Sequence, residues 1–270
     1  MDNPKISIIT VVYNDVHNIE KTIKNTLSQT YNNMEYIVVD GGSTDGTIDV
    51  IKKYDGKIIW KSEPDNGIYD AMTKGTNMAS GEWILFRNSG DLFFDDTVVE
   101  RIFSEYEDKG ETFIVGNIRY LRDACYKDVR PNILTHSYYD AMPFPHPSTF
   151  VKRSVQMKFP FDLKYRNSAD YKFFIQALKA GMTYHYVDMI VAIFDANCGA
   201  STSNYILSLE ENIDILSKLD APKESVDSRK SSLKKEILKK RISCIPFLSH
   251  MIDKYTMMRG GWRKKIFDLR

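Results

Sequence analysis

The sequence predicts an α/β protein: a mostly parallel sheet flanked by helices. Three observations predict it. Four short apolar runs fall within the first 90 residues, helix-periodic segments separate them, and a glycine-rich connection closes the second run. Alternation at this spacing builds βαβ units, which cover a parallel sheet with helices and bring ligands to the carboxyl ends of the strands. A chain of 270 residues suits one main domain of about 200 residues with an appendage.

Each element has its own signal. Ile6–Val12 is β-branched and almost continuously apolar, as in a strand buried on both faces. Asn18 precedes Ile19, Ile23 and Leu27, whose i, i+4, i+8 spacing makes one apolar helical stripe, so Asn18 is expected to cap that helix. Residues 36–40 repeat the strand signature, and a glycine-rich loop (41–46) leads to a second helix ending near Tyr54. Residues 57–60 read as a third strand, 68–79 as a third helix and 82–86 as a fourth strand, followed by a helix capped by Asp95. The loops after Val12, Val39, Trp60 and Phe86 are therefore expected to converge on one crevice. Farther on, residues 112–115 and 118–121 read as two strands, and 131–147, rich in proline, histidine and aromatics, as a long loop. A helix over 168–180 stopped by Gly181, a strand over 186–194, and a helical stretch from Ser201 to the end complete the pattern.

Composition narrows the function classes. No apolar run approaches the roughly 18 residues of a membrane span, and the first residues lack the basic and apolar regions of a signal peptide. A cytoplasmic protein is expected. Cys125, Cys198 and Cys244 are odd in number and widely spaced, which fits reduced structural thiols better than a disulfide framework or a zinc site. The net charge of +1 hides an asymmetry: residues 229–270 carry 13 Lys and Arg against 3 acidic residues. Such a tail seeks anionic surface, and its mixture of lysines with Ile, Leu, Phe, Met and Trp262 suits an interfacial helix on anionic lipid, peripheral to the membrane. Its plain alternative is an apolar stripe packed on the body or on a second copy in a homodimer. Nucleic acid is disfavoured, because no recognition motif accompanies the charge.

Asp40-Gly41-Gly42-Ser43-Thr44-Asp45-Gly46-Thr47 lies between a strand and a helix, where glycines admit a ligand and the helix start offers N–H groups to an anion. The plain alternative is a tight turn with Ser43 or Thr44 as N-cap. The sequence contains neither the dinucleotide fingerprint in this position nor a P-loop.

Four stretches, "SIITVVYND", "LSQTYNNMEYIVVDGGSTDGT", "SEPDNGIYDAMTKG" and "ASGEWILFRNSGD", resemble in order the signatures of the family 2 glycosyltransferases, nucleotide-sugar-dependent enzymes of GT-A fold. The resemblance continues more loosely through "PHPSTFVKR", "FDLKYRNSADYKFFIQALKAG" and "AIFDANCGAST" to about residue 203, and is strongest to the branch that builds bacterial surface polysaccharides. It implies a GT-A domain over 1–203, with a nucleotide-sugar half (1–115) and an acceptor half (116–203), and a helical basic tail over 204–270.

The resemblance also assigns residues. Tyr13 and Asp40 line the donor's nucleoside pocket. Gly41 stands where many relatives carry a second Asp that reads uracil, so a UDP-sugar is favoured. Asp65, Tyr69, Lys74 and Ser89 fall on donor-binding segments; at i and i+4, Asp70 and Lys74 also form an ordinary helix salt bridge. Asp91 corresponds to the metal-binding acid of the family, with Gly90 where many relatives are acidic. A divalent cation, Mg2+ or Mn2+, can be held by one or two carboxylates plus phosphate oxygens. Asp170 matches the base that activates the acceptor hydroxyl for inversion, and the acceptor is expected to be a lipid-linked saccharide. His146 is an acceptor-side candidate or a structural histidine, and Cys198-Gly199-Ala200-Ser201 resembles a mobile donor loop. Two rivals stay open: a sugar-1-phosphate nucleotidyltransferase, whose Gly-x-Gly-x-Arg loop is absent after the first strand, and a catalytically inactive sugar-nucleotide or membrane-binding module.

Overall fold

The computed structural model describes residues 3–197 and 204–243, together with Gly261 and Arg263–Lys264. The amino-terminal half follows the expected alternation. Strands β1 (Ile6–Val12), β2 (Met34–Asp40), β3 (Ile59–Ser62) and β4 (Trp83–Phe86) are separated by helices α1 (Ile19–Leu27), α2 (Thr47–Lys52) and α3 (Ile68–Met78). β1 pairs in parallel with β2 and β4, and β2 in parallel with β3, so these four lie in the order β4-β1-β2-β3. Period-two alternation sorts their side chains between two cores. Ile6, Ile8, Tyr36, Val38, Trp83 and Leu85 face α1, α2 and α4 (Val98–Glu105), whereas Ile9, Val11, Ile37, Val39, Ile84 and Phe86 face the opposite layer with α3. Burial on both faces is why β1 and β4 are mostly apolar.

The remaining strands turn the sheet mixed. β5 (Leu92–Phe93), β6 (Phe113–Arg122), β7 (Cys125–Val129), β8 (Thr149–Lys152), β9 (Tyr184–Asp195) and β10 (Arg263–Lys264) extend it to the order β10-β7-β6-β8-β4-β1-β2-β3, with β9 on β6 and β5. β8 runs antiparallel between β4 and β6. The two strands expected over 112–115 and 118–121 are one: Gly116 and Asn117 do not end β6, because β9 pairs across them with a register shift. β7 and β8 carry no sequence signal of their own, being short and partly polar. The long loop over 131–147 contains a 3-10 turn at Asn132–Leu134, a second begins at its end (His146–Ser148), and it buries Phe144.

Helices α5 (Arg153–Lys158) and α6 (Ala169–Lys179) close the second core, where Phe173 and Phe174 pack with Phe113 and Phe144. α7 (Tyr205–Lys218) falls in the stretch expected to be an appendage, yet Leu209, Ile215 and Leu216 are fully buried, the last two within that core. Its Glu211 accepts the backbone N–H groups of Arg166 (2.8 Å) and Asn167 (3.0 Å), bracing the approach to α6. α8 (Lys223–Ser243) packs on α7, and along its length apolar residues do not gather on one side; most of the apolar residues of the expected interfacial tail lie outside the described residues. The end of the chain is not wholly helical either, since Arg263–Lys264 pairs antiparallel with β7.

Two expected caps are replaced. The Asn18 side chain donates to Asp15 Oδ1 (2.7 Å) rather than capping α1. α2 starts after Gly46, and Asp45, not Ser43 or Thr44, accepts the Thr47 backbone N–H (3.0 Å).

Candidate active site

The four loops at the carboxyl ends of β1 to β4 hydrogen-bond to one another. Asn14 N–H donates to Ser43 Oγ (2.7 Å), Thr44 N–H to Asn14 Oδ1 (2.8 Å), Ser62 Oγ to Asp40 Oδ2 (2.6 Å) and Ser89 Oγ to Asp15 Oδ2 (2.6 Å). Parallel strands end together, so their loops share one rim. Asp40 is fully buried: Oδ2 also accepts the N–H groups of Gly42 and Ser43, both at 3.0 Å, while Oδ1 has no partner among the described residues. Tyr13 stands 62% exposed beside it, a ring free to stack. Gly41 fits between Tyr13 and Asp65. A Cβ there would collide with the Asp65 carboxylate and lie 3.4 Å from the Tyr13 ring. Asp65 thus occupies the room that a side chain at position 41 would need.

Asp91 follows β4 and is buried. Its Oδ2 has no partner among the described residues, and burial pushes its pKa up to about 7 against the pull of the buried Arg87 guanidinium. A carboxylate raised by desolvation is one that a cation would stabilise. Arg87 lies under this loop with its guanidinium 3.9 Å over the Phe93 ring, one nitrogen donating to Leu92 O (3.0 Å) and two without partners. Gly90 has φ +94° with open space where a side chain would project. An acidic residue there would have room but would pay for a left-handed backbone. Among the described residues no group of three or more His, Cys, Asp or Glu gathers to hold a metal ion.

Asp170 lies in the first turn of α6, next to elements from across the chain. Tyr69 Oη donates to its Oδ1 (2.8 Å), the Tyr171 N–H donates to the same oxygen (2.9 Å), and His146 Nδ1 stands 3.5 Å from Oδ2. A cavity of about 360 Å³ opens alongside, lined by Asn66, Gly67, Ile68, Tyr69, Leu163, Tyr165 and Arg166. One wall is the start of α3 and the other the segment before α6.

The family model "Glycosyl transferase family 2" matches residues 7–174, a span that contains this rim and Asp170. The chain belongs to glycosyl transferase family 2. An uncharacterized glycosyltransferase of Mycobacterium tuberculosis is 32% identical over 180 residues, covering 64% of this chain and 69% of that protein. Two solved structures share the fold at a TM-score of 0.64. Residues 1–349 of TarS from S. aureus, in complex with UDP-GlcNAc, are 16% identical, with 88% of this chain and 73% of that chain covered. The mannosyltransferase PcManGT from Pyrobaculum calidifontis, in complex with GDP-Man and Mn2+, is 15% identical, with 87% and 75% covered. The fold is GT-A, and this family 2 protein is a glycosyltransferase.

Within the glycosyltransferase, the structure redistributes several residues named from the sequence. Tyr13, Asp40, Gly41 and Asp65 gather at one place. Ser89 spends its hydroxyl on Asp15, tying the fourth loop to the first. Lys74 donates to Pro64 O (2.9 Å) and pairs with Glu63 and Asp70, each at 3.4 Å, so it fastens α3 to the loop before it. Tyr69 turns its hydroxyl to Asp170, and His146 is 8% exposed among aromatic rings. Sequence reasoning missed Asp15 and Arg87. Asp15 gives no signal, but Arg87 does: a lone charge ending the apolar run Trp83–Phe86 is a buried group in need of a reason. Cys198-Gly199-Ala200-Ser201 and Trp262 lie outside the described residues.

Proposed function

We propose that this glycosyltransferase is an inverting, divalent-cation-dependent enzyme that moves a hexose or N-acetylhexosamine from a UDP-sugar to a lipid-linked or saccharide acceptor in surface polysaccharide synthesis. One observation carries the reading: on a rim built from the carboxyl ends of parallel strands, Asp40 and Asp91 each keep one buried oxygen without a partner among the described residues. Buried polar atoms in native proteins are satisfied, so an orphan at a rim points to a ligand.

Asp40 is suited to a hydrogen bond from base or ribose, with the exposed Tyr13 ring stacking on the base. Asp65 supplies a carboxylate where Gly41 supplies none. Asp91 fits a cation held jointly with the donor's phosphates, since a single carboxylate suffices for Mg2+ or Mn2+ in that arrangement. When bound, such an ion supplies Lewis-acid stabilisation of the leaving diphosphate. Asp170 takes the proton of the acceptor hydroxyl, which enters by the cavity along Tyr69 and Arg166. One in-line attack needs one base and no covalent nucleophile. The solved relatives named above hold UDP-GlcNAc in one case and GDP-Man with Mn2+ in the other, which supports a nucleotide-sugar donor with a divalent ion. The basic residues of α8 support approach to an anionic membrane surface by charge rather than by insertion.

The test combines a nucleotide-sugar screen by thermal shift with Mn2+ and a UDP-release assay. Asp170→Asn is expected to keep donor binding and lose turnover; Asp91→Ala is expected to lose Mn2+-dependent donor stabilisation. Unchanged release by both variants would overturn the assignment.

A further inference from the structure

Tyr69 was expected on a donor-binding segment and His146 as an acceptor-side candidate or a structural histidine. Both are more than nine-tenths buried and converge on Asp170. Tyr69 comes from α3 and His146 from the turn before β8, so three segments distant in sequence meet at one carboxylate. Oδ1 is fully engaged, by Tyr69 Oη at 2.8 Å and the Tyr171 N–H at 2.9 Å. Among the described residues Oδ2 has His146 Nδ1 alone beside it, at 3.5 Å, longer than a formed hydrogen bond.

The His146 ring is enclosed by Phe86 (5.2 Å between centroids), Phe174 (5.7 Å) and Phe161 (6.0 Å). Its Nε2 is buried without a protein partner. Burial lowers its pKa, opposed by the Asp170 charge, and so favours the neutral ring. Two tautomers remain. A proton on Nε2 would strand a donor among phenyl rings and set the Nδ1 lone pair against a carboxylate oxygen. A proton on Nδ1 directs the N–H at Asp170 and leaves only a lone pair in the apolar cage, the less costly choice.

We propose that Tyr69 and His146 are positioning residues for Asp170. They hold its carboxylate in one orientation, in which Oδ2 is the oxygen that takes the acceptor proton. The proposal rests on the reading of Asp170 as the base. Neutral donors on a carboxylate do not strengthen it as a base, so their contribution is geometric, and misplacement of a reacting group costs on the order of 100-fold in rate.

Two measurements test it. The first needs no substrate: long-range 1H–15N correlation of histidine rings in the full chain at pH 7.5, with His146 assigned by its absence from His146→Phe or, should that variant not fold, His146→Gln. A neutral ring protonated on Nδ1, whose resonances move in Asp170→Asn, is expected; a ring protonated on Nε2, or one indifferent to Asp170→Asn, overturns the proposal. The second follows UDP release from UDP-N-acetylglucosamine with Mn2+ and water as acceptor. Tyr69→Phe is expected to lower kcat about tenfold or more with KM held within about twofold. A raised KM with kcat intact would make Tyr69 a donor contact and overturn its positioning role. Should Asp170→Asn retain kcat, the base reading fails, while the tautomer still reports whether the contact exists.

Discussion

Asp91 and Gly41 show how single positions set what the rim can hold. The Asp91 carboxylate is buried beside a buried arginine that leaves its Oδ2 without a partner. Asp91→Ala is therefore expected to abolish the extra thermal stability that Mn2+ and UDP confer together, with little change for the free protein; calorimetry in the four ligand states checks it. Gly41 is fixed by close approach: Asp65 fills the space beside it. Gly41→Asp is expected to destabilise by about 1–3 kcal/mol through overpacking, and Asp65→Ala in the same chain to recover much of that loss. A double-mutant cycle in urea reads the coupling, and additive effects would show that the two positions do not compete. Asp40, Asp91 and Asp170 could be named as candidates from the sequence because each sits in a motif whose residue types match the chemistry proposed for it. The targets of Tyr69 and His146 were not, because 101 residues separate Tyr69 from its partner Asp170 and no periodicity encodes that distance.

At the scale of elements, the parallel strands were legible and their antiparallel additions were not. Strands β1 to β4 announce themselves by apolar runs, whereas β8 is four residues whose place between β4 and β6 depends on partners far away in sequence. The opening of β1 is pinned to β2 by Glu35, which accepts from Ser7 (2.6 Å), from the Ser80 backbone N–H (2.6 Å) and from Ser80 Oγ (2.8 Å), and pairs with Lys5 (2.7 Å). Burial alone would raise its pKa, but these contacts, led by Lys5, outweigh burial and hold it at about 2 against an ordinary 4.5. A depressed folded pKa stabilises above the ordinary value, and that stability is lost as pH falls from 4.5 toward 2. Glu35 thus contributes stability at neutral pH, less than the full shift implies because solvent screens part of it. Glu35→Gln is expected to lower stability at pH 7 and to flatten the acid limb of urea midpoints between pH 5 and about 2. α7 makes a second case. Since Leu216 is fully buried in the core, Leu216→Ala is expected to cost about 2–5 kcal/mol of global stability in urea; an unchanged midpoint would mark α7 as a separate appendage.

At the scale of the whole molecule, basic residues concentrate toward the carboxyl terminus, where residues 229–270 carry 13 Lys and Arg against 3 acidic residues. Among the described residues no helix is long and apolar enough to cross a membrane, and α8 offers charge without an apolar face. Sedimentation with vesicles is expected to show binding to anionic lipid that falls steeply as salt rises from about 0.1 to 0.5 M, and none to neutral lipid. Binding insensitive to salt would place the attachment on apolar residues outside α8. The sequence by itself determined the α/β class, the order of the first strands and helices and the family, and it nominated three candidate carboxylates, because these follow from local periodicity and from motifs contiguous in the chain. Only the tertiary structure decided that Asp65 fills the room beside Gly41, that Arg87 lies beneath Asp91, that α7 completes the core, and that Tyr69 and His146 meet at Asp170. Those facts depend on which distant segments the packed sheet brings within a few ångströms, and no local pattern in a chain carries that information.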